Sequence, residues 1–259
     1  MESEKKMSFL DHLEELRWRL VKSAIPVLLF SIVIWVFQEW VMDHVFLSMS
    51  KSDFFTFDIL CRYVGVCTDD ITLKMQSTSL SAQFSYALMM SIMGGIVLSF
   101  PFLFYQVWSF IKPGLRDNEK SMAGGIVVYV SLLFFLGIGF GYFIVAPLCV
   151  QFFAVFTMSK QIENIPTISS YMSLVLSTIF YTGLLFLLPV VSYLMTKIGI
   201  VTSAFLKKYR KHSIIGVLIL SAAITPPDLI SQVIVSIPIL ILYEIGILVS
   251  KRVEKNQKV

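Results

Sequence analysis

Two stretches of this sequence set carboxylates where they can act on a partner. The first is HLEELRWRL at 12–20, which places Glu14, Glu15, Arg17 and Arg19 within six residues. On a helix Glu15 and Arg19 are one turn apart, and an exposed pair of that kind is worth only about 0.3–0.5 kcal/mol. The same arrangement permits a second use, a carboxylate held ready for a cationic partner. The other stretch is FYQVWSFIKPGLRDNE at 104–119. It starts inside an apolar run, passes Trp108 and Lys112, stops at Pro113-Gly114 and ends in charges, as a membrane helix does on leaving the bilayer. Its last residue, Glu119, is a carboxylate on a short loop where basic residues would be the cheaper choice.

Other chemistries find little support. The histidines, His12, His44 and His212, all fall near the ends of apolar runs. An intramembrane serine protease needs a Ser and a His facing each other within the spans. There is no HExxH, and the cysteines lack metal-ligand spacing. No catalytic residue, metal or cofactor is therefore expected. A small-solute secondary transporter is the alternative. Such carriers place ionisable groups near the bilayer midplane, and here the second to fifth apolar spans contain no Asp, Glu, Lys or Arg apart from Lys197 at the end of the fourth. Glu244 stands in the last span, near its end, and reads as a snorkelling or Ser/Tyr-bonded carboxylate. The net charge of +4 follows the loops and forms no single patch, so no nucleic-acid partner is implied.

The elements that must hold these residues are membrane helices. Of 259 residues, 56% are hydrophobic and only 15% charged, against about 25% charged in a soluble domain. Residues 121–159 and 164–196 carry no Asp, Glu, Lys or Arg, and about 20 helical residues cross a bilayer core. The expectation is an all-α integral membrane protein with six spans, near 24–41, 81–111, 122–150, 170–198, 213–225 and 229–249. Seventeen of the 21 Lys and Arg then fall on one side, which makes both termini cytoplasmic. The chain reads as one polytopic domain over 1–259, with a cytoplasmic amphipathic segment at 1–22, a long outer loop at 42–80 and a cytoplasmic tail at 251–259. The N-terminus is too charged for a cleavable signal peptide.

Several local features add detail. Ser8 and Asp11 fit a capping box with Asp in place of Glu. Phe9, Leu13, Leu16 and Leu20 then form an apolar stripe on a helix expected along the membrane surface, in contact with lipid. The fifth span, 13 residues or about 20 Å of helix, is short for its core. Extension by flanking residues and snorkelling of Lys208, Arg210 and Lys211 is the plainer accommodation, and local bilayer thinning the sharper one. Cys61 and Cys67 are spaced so that a disulfide is possible, while Cys149 suits a small core residue. Gly137 and Gly141 stand in GxxxG spacing, for packing within the chain or for a subunit contact.

At several points the sequence resembles the TatC family, the signal-peptide receptor of the twin-arginine protein translocase. HLEELRWRL at 12–20 resembles its N-terminal motif. YQVWSFIKPGL at 105–115, followed by Glu119, resembles its first cytoplasmic loop. FGYFIVAPL at 140–148, TPPDLISQ at 225–232 and IPILILYEIGI at 237–247 match further motifs in the family order. The resemblance implies a six-helix, cup-shaped receptor in the bacterial cytoplasmic (inner) membrane. It would bind twin-arginine signal peptides of folded precursors and recruit single-span TatA/TatB-type subunits for export driven by the proton motive force. It would be a homo-oligomer within a larger complex and not an enzyme.

Carried over by position, Glu15 and Glu119 would receive the two arginines, with Arg17 and Phe110 shaping the site. A guanidinium can pair bidentately with a carboxylate and an ammonium cannot, which would favour Arg-Arg over Lys-Lys. Pro226, Pro227 and Asp228 form the outer-turn motif, with Asp228 suited to a turn or cap. One position departs from the pattern. The family commonly has a glutamate in a Phe-Glu-x-Pro setting in the fourth span, and here Leu187 stands in its place. Ser177, Thr178 and Thr182 are the remaining polar groups nearby.

Overall fold

The computed structural model describes residues 9–51, 53–59, 61–62, 75–111, 123–159, 161, 165–224 and 229–257. In chain order the helices are α1 (Phe9–Val36), α2 (Gln38–Val41), α3 (Phe55–Ile59), α4 (Ala82–Ile111), α5 (Ala123–Phe140), α6 (Ala146–Val155), α7 (Ile168–Leu185), α8 (Leu188–Lys197), α9 (Ser203–Lys208), α10 (Arg210–Ile224) and α11 (Leu229–Gln257). A π-turn, Met42–Phe46, and a 3-10 turn, Leu47–Ser50, lie between α2 and α3. Another π-turn, Gly141–Val145, joins α5 to α6. Four stretches are long and apolar enough to cross a membrane: Leu13–Val36, Ala82–Phe110, Gly125–Val155 and Ile168–Lys197.

The chain forms two compact units. The first combines residues 1–38 and 87–132. Its α1 is a single helix where a surface segment followed by a span was expected. Residues 10–25 hold many Leu, Glu and Arg and no Gly, so nothing favours a break before the apolar run. Pro26 removes one backbone donor yet leaves the helix intact. Gly95 of α4 lets the α1 backbone come close, and Gly94 leaves room for the Ile34 side chain. A Cβ on Gly95 would stand 2.7 Å from the Val27 carbonyl oxygen.

The second unit holds residues 39–86 and 133–259. Val145, Cys149, Val217, Val235 and Ile239 form a buried cluster joining α6, α10 and α11, so Cys149 is the small core residue expected. Gly137 and Gly141 both serve packing within the chain. A Cβ on Gly137 would meet the Gly183 Cα at 2.9 Å, and one on Gly141 the Ile179 Cα at 3.0 Å. Pro147, in the first turn of α6, has no N–H to offer the Phe143 carbonyl. The Thr56 hydroxyl on α3 donates to that oxygen instead. Tyr142 donates to Val45 O at 2.9 Å and Tyr171 to Phe46 O at 2.6 Å. The turns at 42–50 are thus tied to the long helices through backbone carbonyls.

The α7–α8 break falls at Phe186–Leu187, just before Pro189. Leu187 N donates to Leu184 O at 3.0 Å, a tighter turn than the α-helical one. The short fifth element, α10, has 15 residues, or about 22 Å. It begins at Arg210, three positions ahead of the expected start, so basic flanking residues do extend it.

Candidate functional site

The site is built on the α1 ladder. Glu15 and Arg19 lie one turn apart, and the Arg19 guanidinium donates twice to Glu15 Oε1, from Nη2 at 2.5 Å and from Nε at 2.9 Å. Its remaining arm, Nη1, reaches Gln106 Oε1 on α4 at 3.4 Å. Ser23 Oγ donates to the Arg19 carbonyl at 2.8 Å, fixing the next turn. Both charged side chains are 24% exposed, so water screens this pair less than a surface one. Glu15 Oε2 is buried and has no hydrogen-bond partner among the described residues. An ionised carboxylate offers about four acceptor positions, and here those on one oxygen stay unused.

The other expected site residues are distributed unevenly. Arg17 is exposed and Phe110 half-buried in the last turn of α4. Phe104 and Trp108 stack at 6.4 Å, and Trp108 is 3% exposed. Glu119 lies outside the described residues, as do Pro226, Pro227 and Asp228. The structure thus joins Glu15 to Arg19, and Arg19 in turn to Gln106. Cys61 is disulfide-bonded, and Cys67, its expected partner, is outside the described residues.

Leu187 is half-buried at the helix break. Two of the neighbouring hydroxyls donate along their own helix. Ser177 Oγ donates to Ser173 O at 2.6 Å, and Thr182 Oγ1 to Thr178 O at 2.6 Å. Both are committed to their own helix. Glu244 has a partner other than those expected, since Arg210 Nη2 reaches its Oε2 at 2.6 Å. Among the described residues no group of His, Cys, Asp and Glu is arranged to hold a metal.

Two connections escaped the sequence. Gln106 is 87 positions from Arg19, and no periodicity links them. Glu254 accepts from Ser203 N at 2.6 Å and from Ser203 Oγ at 2.5 Å, capping α9 from the far end of α11. The only hint of the latter is that acidic groups favour helix N-termini.

Membrane-length apolar helices, with no strand beyond one isolated bridge among the described residues, define a multi-pass all-α membrane protein. Residues 11–238 match the family described as Sec-independent protein translocase protein (TatC). The chain belongs to that family, a component of a protein translocase. A TatC from Blattabacterium sp. subsp. Periplaneta americana (strain BPLAN) is 36% identical, covering 99% of this chain and all of that protein. TatCy from Bacillus subtilis (strain 168) is 32% identical over 95% of this chain and 89% of its own length. A crystal structure of the twin-arginine translocase receptor TatC superposes with a TM-score of 0.71 at 30% identity, covering 94% of this chain and 99% of that one.

Proposed function

We propose that this chain is the signal-peptide receptor of a twin-arginine translocase, with six spans and both termini in the cytoplasm of a bacterial cell. It binds the paired arginines of folded precursors at the cytoplasmic membrane surface through Glu15 and Glu119. It then recruits single-span TatA/TatB-type subunits for export driven by the proton gradient. The observation that carries the reading is the state of Glu15. Its carboxylate is mostly removed from water, already holds one guanidinium, and keeps a buried oxygen without a partner among the described residues. Leaving such an oxygen unsatisfied is unfavourable by roughly 1–3 kcal/mol or more, and a ligand guanidinium would relieve that.

Photocrosslinking of a twin-arginine peptide and its Lys-Lys counterpart to the full chain in membranes tests the assignment. The Arg-Arg peptide is expected to be captured more strongly. Glu15→Ala or Glu119→Ala should lower its capture about tenfold or more, the size of one lost charge-assisted contact. Equal capture of both peptides, unaffected by either substitution, overturns the reading.

A further inference from the structure

The carboxylate assigned above to a ligand arginine is not vacant. Arg19 already stands on it, with two donors on Oε1 and its third nitrogen towards Gln106. We propose that Arg19 is a resident competitor that sets the receptor's preference for arginine over lysine; this rests on Glu15 being a signal-arginine contact. An incoming cation must either displace the resident guanidinium or work around it. Arg19 is tethered one helical turn away, so its effective concentration at Glu15 is high. A ligand guanidinium can work around the resident, placing two donors on the Oε2 that has no partner among the described residues, as Arg19 itself does on Oε1. A ligand ammonium is a compact, strongly hydrated point charge without that fork. Against an undefended carboxylate, lysine loses only the difference between fork and point. Against Glu15 it must also displace a guanidinium that an arginine ligand can leave in place. Gln106 gives the displaced resident an acceptor on α4, so exchange does not leave Arg19 without a partner.

Specificity is a difference between two affinities, and an element acting against the wrong ligand can widen it. Removing Arg19 should therefore strengthen capture of both peptides, with the larger gain for Lys-Lys. The test measures crosslinking affinities of the Arg-Arg and Lys-Lys peptides for the full chain and for Arg19→Gln, Arg19→Lys and Glu15→Gln. The Arg-Arg over Lys-Lys ratio is expected to fall about threefold to tenfold in Arg19→Gln, the scale of one partly buried charged hydrogen bond. In Arg19→Lys, where the resident is itself a point charge, it should fall part of the way. If Arg19→Gln does not assemble, the Lys variant alone decides, and a wild-type ratio there overturns the proposal. An unchanged ratio in Arg19→Gln overturns it too, as does loss of Arg-Arg capture that Arg19→Lys restores. In each of those cases Glu15→Gln should still lower capture, leaving the receptor reading intact. Glu15→Gln without effect on capture sinks the receptor reading itself, and the competitor role with it.

Discussion

Glu15 on α1 and Glu254 near the end of α11 are both glutamates whose nearest donor sits at 2.5 Å. They differ in how completely they are used. Glu254 has one donor on each oxygen, the Ser203 amide and the Ser203 hydroxyl. Glu15 has two donors crowded on Oε1 and none on Oε2 among the described residues. The first arrangement is a cap, with both oxygens engaged by the residue it caps. The second pairs charge with charge and leaves acceptor capacity buried and idle. A carboxylate engaged on both oxygens belongs to structure, whereas one engaged on a single oxygen in a charged setting is open to a further ligand.

The difference can be pressed experimentally. The largest effect on stability should come from Leu187→Glu, which installs a third carboxylate where Ser177 and Thr182 are already committed to carbonyls. In a membrane-length helix this should cost roughly 2–3 kcal/mol, read as a lowered thermal midpoint in detergent. A midpoint unchanged from wild type would mean that carboxylates find partners here more freely than the contrast allows. Next, Glu254→Ala should cost about 1–2 kcal/mol through its two lost bonds while leaving twin-arginine peptide capture alone. Loss of capture with an unshifted midpoint would erase the distinction between the two glutamates. Least should follow from Arg210→Ala. The Arg210–Glu244 pair is about half exposed on both sides, so at most about 1 kcal/mol is expected. A larger shift would place Glu244 beside Glu254 as a structural carboxylate.

Much of this was legible in the residues. The apolar runs behind α4, α5–α6 and α7–α8 announce themselves by composition, because a bilayer demands about 20 uninterrupted apolar positions. The Glu15–Arg19 pair follows from its spacing. The continuity of α1 was hidden because its polar first half and apolar second half look like two environments, although the backbone needs no break between them. The Phe186–Leu187 break and the Gly141–Val145 turn each precede a proline by a few residues, a signal that marks disturbance but not its form. Gln106 and Ser203 became partners only through tertiary packing. Glu119 could be assigned from its motif, but its contacts remain to be tested by capture.

The Thr56–Phe143 bond carries a consequence for how the chain is made. Pro147 strips a carbonyl of its helical donor in a stretch that crosses the membrane, and hydrocarbon offers no water in its place. The replacement comes from α3, a short helix that is synthesised earlier and lies between the long helices in sequence. The third long helix therefore reaches its final hydrogen-bonded state only once the segment that carries α3 has folded back against it. Folding of that earlier segment becomes a timing step in the protein's own maturation.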